Sequence, residues 1–125
     1  FVLKALKRNG WAFEYVPDKF RNDKTLYYLS NIAKDPKTFS SLPLNYFQTN
    51  EQLAPFIESI KIYLKNRVGQ DVSQEDQEYA TEVIKMVKDT IARKRKDIDQ
   101  IKQKANERAQ RVNKYKNKID EELGL

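Results

Sequence analysis

The stretch SQEDQEYATEVIKMVKDTIARKRKDIDQIKQKANERAQRVNKYKNKIDEEL, Ser73 to Leu123, runs for fifty-one residues without a proline or a glycine. It is densely charged, and an apolar residue recurs every seventh place: Ile84, Ile91, Ile98, Ala105, Val112 and Ile119. As one continuous helix it would be roughly 75 Å long, about twice the width of a compact domain of this size. Ser73, followed three residues later by Asp76, supplies its N-terminal start signal.

With Ile84 at heptad position a, position d holds Ala80, Val87, Lys94, Ile101, Arg108 and Tyr115. Position a is wholly apolar while d alternates between apolar and basic, a pattern that favours a coiled-coil partner and lets the cations select register. The candidate partner-binding residues are therefore Ile84, Ile91, Ile98, Ile101, Val112, Tyr115 and Ile119. The sequence leaves two placements open: a projecting helix, or a helix folded back on the rest of the chain as an antiparallel hairpin.

Charge bears on the partner. The whole chain carries +6, but Arg93 to Lys118 alone holds eleven basic and three acidic residues, between acidic ends at Glu75, Asp76, Glu78 and Glu82 and at Asp120, Glu121 and Glu122. The e and g positions carry Arg95, Asp97, Lys102, Lys104, Arg111, Lys116 and Lys118. A parallel homodimer would match Asp97 with Lys102 but oppose Arg111 to Lys116, and antiparallel self-pairing also crowds like charges. An acidic helical partner suits these flanks better than a homodimer. A second reading takes Arg93, Lys94, Arg95, Lys96, Lys104 and Arg111 as contacts for nucleic acid or an anionic membrane, without sequence selectivity. Against it, Asp89 and Asp97 stand four residues from Arg93 as intrahelical partners, and Tyr115 is the one aromatic interleaved for base stacking.

The rest of the chain has another character. Twelve of the fourteen aromatic residues precede Val68, so the core belongs to residues 1–69 and the long basic helix of 73–123 extends it. Shifting the sequence by 26 residues sets Leu3 on Leu29, Leu6 on Ile32, Phe13 on Phe39, Val16 on Leu42, Pro17 on Pro43 and Phe20 on Tyr46, an internal repeat. Each unit reads as a pair of short helices. Asn9-Gly10 suits a left-handed helix terminus, Asp23 caps a helix over 25–34, and Thr49 with Gln52 forms a capping box ahead of 51–67. A helix stop lies at Val68-Gly69-Gln70-Asp71. Trp11, Phe13, Phe20, Phe39, Tyr46, Phe47, Phe56 and Tyr63 are expected in the core, and of Tyr27 and Tyr28 one must face outward. The predicted fold is all-α: short helix-pair repeats, then a long coiled-coil-like helix.

The segments VLKALKRNGWAFEYVPDKFRNDK and YLSNIAKDPKTFSSLPLNYFQTNEQ resemble the tandem helical repeat of a bacterial domain family of unknown function. The resemblance rests on Asn9, Gly10, Ala12, Tyr15, Val16, Pro17, Arg21 and Asp23, covers residues 1–52, and departs at Asp35-Pro36 and at Ser41. It implies a binding scaffold, in some members part of an effector delivered into a host cell, and no known chemistry.

Histidine and cysteine are absent, which removes imidazole acid-base chemistry, thiol nucleophiles, disulfides and the usual zinc sites. Three scattered glycines make no phosphate loop, and Asp97/Asp99 and Glu121/Glu122 lack the apolar surroundings that raise a carboxyl pKa. The sequence predicts a non-enzymatic module without catalytic residues, cofactor or metal. It is expected to be soluble, either cytoplasmic or secreted into a host cell. No apolar run reaches the roughly 20 residues of a membrane span. The chain begins at Phe1 without an initiator methionine, as a piece of a longer or processed protein would.

Overall fold

Asn9 and Asp35 stand 26 residues apart in the same extended backbone conformation, φ −147° with ψ 101° and 106°. In each, the side-chain oxygen accepts from the backbone N–H two residues on, Trp11 at 3.1 Å and Lys37 at 3.0 Å. Each caps a six-residue 3-10 helix, Gly10–Tyr15 and Pro36–Ser41, whose closing N–H returns to Phe13 O or Phe39 O. The correspondence continues, with α2 (Asp18–Arg21) matching the 3-10 helix Leu44–Phe47. These elements come from a computed structural model that describes residues 2–69 and 73–124.

Among the described residues there are five α-helices, three 3-10 helices and no strand. The remaining α-helices are α1 (Val2–Arg8), α3 (Lys24–Lys34), α4 (Asn50–Val68) and α5 (Gln74–Leu123). Their start signals act as their chemistry requires. Asp23 accepts from Thr25 N and Leu26 N at the head of α3, Thr49 and Gln52 close a reciprocal box at α4, and the Ser73 hydroxyl accepts from Asp76 N at α5. Gly69 ends α4 at φ 58° and ψ −150°, a conformation that side chains disfavour. The expected stop also included Gln70 and Asp71, and the core unit was expected from Phe1; those residues lie outside the described ones.

The core mixes aliphatic and aromatic side chains, with Leu6, Leu29, Ile32, Phe39, Leu42, Phe47 and Phe56 sealed from solvent and further rings partly buried around them. Edge-to-face contacts run from Phe13 to Tyr27, Tyr28, Tyr46 and Phe56 at centroid separations of 5.4–6.1 Å, joining both repeat units to α4. Of the tyrosine pair, Tyr27 is the exposed member. Trp11, expected inside, is 63% exposed and lies 4.4 Å under the Lys34 ammonium, because the 3-10 turn aims its neighbours Ala12 and Phe13 at the core instead. α1 is tied to α4 by the Ser59 hydroxyl, which donates to Lys7 O at 3.0 Å, and by Lys7 to Glu58 at 2.8 Å.

Gly10 has a different reason from the left-handed terminus expected of it. Its φ is not positive; it is buried against α3, where a Cβ would land on the Ser30 carbonyl oxygen and 2.8 Å from Lys34 Cγ. Close approach of two backbones selects the residue. Gly10→Ala should therefore lower the unfolding free energy by about 2 kcal/mol, read from urea denaturation, because α3 must shift.

Glu58 generates a pH prediction. The hydrogen bond and charge of Lys7 hold its carboxyl below the ordinary 4.5. A folded pKa below the unfolded one stabilises the fold above the unfolded value, and that contribution disappears as pH falls through the folded one. The pair is exposed, so the effect is small. Wild type should exceed Glu58→Gln slightly in thermal stability at neutral pH, and the two curves should converge below about pH 4.5.

Candidate functional site

α4 and the first half of α5 form an antiparallel hairpin fixed at both ends. Near its turn, Arg67 Nε lies 3.3 Å from Asp76 and its guanidinium sits 3.9 Å from the Tyr79 ring centroid, while Tyr63 packs against Tyr79 at 6.4 Å. Lys37, from the second 3-10 helix, reaches Glu82 at 3.1 Å and the Tyr79 ring at 5.5 Å. Burial pushes the Tyr79 phenol up, reinforced by Tyr63 and Asp35, so it stays protonated at neutral pH and serves as packing surface. At the other end Arg95 Nε donates to Phe47 O at 3.1 Å and its terminal nitrogen donates to Asn50 Oδ1. Lys94 lies 5.9 Å over the Phe47 ring.

Between these clamps α5 rests mainly on the 3-10 helices Pro36–Ser41 and Leu44–Phe47 and more lightly on α4. Val83 is fully buried and Thr90 nearly so, with the Thr90 hydroxyl bonded to Met86 Sδ. Tyr79, Met86, Val87, Ile91 and Ile98 are half-buried against the core. Beyond Ile98 every described residue of α5 is exposed. About 25 residues, roughly 37 Å of helix, stand clear of the other described residues. The two placements that the sequence left open are thus both realised, each by half of one helix.

The heptad seam departs from the buried face for a geometric reason. In a straight helix of 3.6 residues per turn, a seven-residue interval drifts about 20° per repeat. Ile84 lies about 100° round the helix from Val83 and is 47% exposed. Ile91 and Ile98 are progressively closer, and Ile119 has come round to the Val83 direction. Ile101, Val112, Tyr115 and Ile119 all fall within about 40° of that direction. The apolar stripe of the projecting half is thus the solvent-exposed continuation of the face that α5 buries in its first half.

Each candidate residue now has a place. Ile101, Val112, Tyr115 and Ile119 form one exposed stripe, with Ile101 58% and Tyr115 68% exposed. Ile84 borders a cleft against α4, and Ile91 and Ile98 face the core, so the seven seam residues do not make one continuous surface. Among the basic candidates, Lys94 and Arg95 are half-buried in the junction with Phe47, whereas Arg93, Lys96, Lys104 and Arg111 are exposed. The Arg93–Lys96 run is therefore split between a structural pair and two solvated cations. Val83, Met86 and Thr90 escaped the heptad reading; a count at 3.6 residues through Tyr79, Val83, Met86 and Thr90 finds them. Among the described residues no three carboxylates gather closely enough to hold a metal ion, and no helix is long and apolar enough to cross a membrane.

A family model described as a domain of unknown function (DUF4116) matches residues 1–48. The matched segment contains the two capped 3-10 units and stops before α4, so the hairpin and the projecting helix lie outside it. No curated protein matches the chain, and no solved structure does.

The junction yields a prediction that separates the two kinds of basic residue. Arg95→Ala should cost about 2 kcal/mol of unfolding free energy, since it strips charge-assisted hydrogen bonds from Phe47 O and Asn50. Arg93→Gln and Lys96→Gln should each change it by less than about 0.5 kcal/mol in the same urea titration.

Proposed function

We propose that this chain is a non-enzymatic interaction module that docks an acidic helical partner along the projecting half of α5. The observation that carries this reading is the stripe of Ile101, Val112, Tyr115 and Ile119, more or less half exposed or beyond, on a helix with no described element beside it. Isolated apolar residues on a surface are ordinary, but four on one face of a free helix are the pattern of a helix-pairing seam. The residues bordering the stripe are Lys102, Lys104, Arg111, Lys116 and Lys118, with Arg108 inside it; the acidic side chains that come as close are Asp120 and Glu122, both at its C-terminal end.

These flanks disfavour a second copy, since either orientation sets cation against cation. They favour glutamate or aspartate at the partner's e and g positions. Polyanion binding would use the same cations but leave the apolar stripe uncovered, which makes it the weaker account of this surface.

A synthetic peptide with leucine at a and d and glutamate at e and g tests the idea by fluorescence anisotropy and circular dichroism. The protein alone should sediment as a monomer, and the peptide should bind with a gain in helicity. Ile101→Asn with Ile119→Asn should weaken binding at least about tenfold. A salt-indifferent homodimer would overturn the proposal. So would binding of duplex DNA or anionic vesicles that falls steeply with salt and ignores the two isoleucine changes.

A further inference from the structure

α5 leans on the 3-10 helices through Val83, Met86 and Thr90, and this leaves its Ile84 and Val87 side only lightly pressed on α4. The Tyr63–Tyr79 ring pair at one end and the Arg95 junction at the other hold the helices in register on either side of that gap. The result is a cleft of about 390 Å³ floored by Ile57, Ile60, Leu64, Ile84 and Val87. Lys61 and Lys65 on α4 and Lys88 on α5 line it with their alkyl stems, so the cleft surface itself is almost wholly apolar. All three are exposed, and among the described residues none of them is in an ion pair. No acidic residue lines the cleft.

Size decides what can enter. The aliphatic side chains on α4, from Ile57 to Leu64, extend over roughly 10 Å of helix, which accommodates one extended alkyl chain. The volume also lies at the low end of small-molecule sites, about 300–1,000 Å³, which argues against a two-chain lipid. Aliphatic walls suit an alkyl chain, and the exposed lysine ends around the cleft suit an anionic head in solvent rather than a buried one. We propose that the α4–α5 cleft binds a single-chain anionic amphiphile, its alkyl chain on the five aliphatic side chains and its head among Lys61, Lys65 and Lys88. The site is separate from the projecting stripe and does not rest on the partner proposed for it.

The test uses the full chain with labelled isoleucine, leucine and valine methyl groups, titrated in NMR with decanoate below its micellar concentration. Saturable shifts are expected at Ile57, Ile60, Ile84 and Val87, while Ile101 and Ile119 stay still. Decan-1-ol should bind at least about tenfold more weakly, and decyltrimethylammonium more weakly again. Replacing Lys61, Lys65 and Lys88 together by glutamine should weaken decanoate about tenfold, and Ile84→Glu, at the exposed mouth, should abolish binding. If Ile84→Glu proves unfolded, the triple lysine variant, altered only at exposed positions, carries the decision. Absence of saturable shifts, equal binding of all three amphiphiles, or equal movement of Ile101 and Ile119 would overturn the proposal. So would an acidic helical peptide that shifts the cleft methyl groups more than decanoate does.

Discussion

α4 has nineteen residues and α5 has fifty, and the 3-10 platform and α4 together protect the longer helix only as far as the body they form reaches. From Asp76, held by Arg67, to Arg95, held by Asn50, is nineteen residues along α5, about 28 Å, which is also the length of α4. The two clamps sit at the two ends of the overlap. Everything distinctive about the C-terminal half follows from this inequality, since the sequence continues as helix after its support has ended.

The support is built from the repeat. Asn9 and Asp35 cap equivalent 3-10 turns, and the second of these turns, with the Leu44–Phe47 segment after it, makes the platform on which α5 lies. The two units diverge where their tasks differ. Arg21 in the first unit closes its own loop by donating to Glu14 O and Val16 O. Its counterpart 26 residues on is Phe47, buried in the core and offering its carbonyl to Arg95. One position thus serves a local turn in one unit and a tertiary joint in the other. Leu6 likewise anchors α1 as Ile32 anchors α3, both sealed from solvent.

What the sequence made legible was local. Asp23, Thr49 with Gln52, and Ser73 were readable as caps because a short polar side chain bonding a backbone N–H two or three residues away needs no other part of the chain. The all-helical character and the 26-residue spacing were readable for the same reason. The reason for Gly10 was not, because it depends on the Ser30 carbonyl across the fold. Trp11 was misplaced because an aromatic residue in a 3-10 turn can face either way, and only the seating of Ala12 and Phe13 decides which. On α5 the seven-residue count found the exposed isoleucines but passed over Val83 and Thr90, since a helix lying on a platform is selected at 3.6 residues per turn and a supercoiled pair at 3.5.

The overhang also gives one covalently continuous helix two thermodynamic characters. As far as Ile98, its backbone hydrogen bonds can open only when side chains leave the core, so their opening free energy approaches that of global unfolding. Past that point no tertiary contact among the described residues opposes opening. The roughly 25 remaining residues hold their helix by intrinsic propensity and by neighbours four apart such as Gln103 and Glu107, without the tertiary packing that supplies most helical stability in proteins. Amide protection should therefore fall away along α5 within a turn or two of Arg95, and whatever settles on the stripe also meets the entropy of ordering the strand of backbone beneath it.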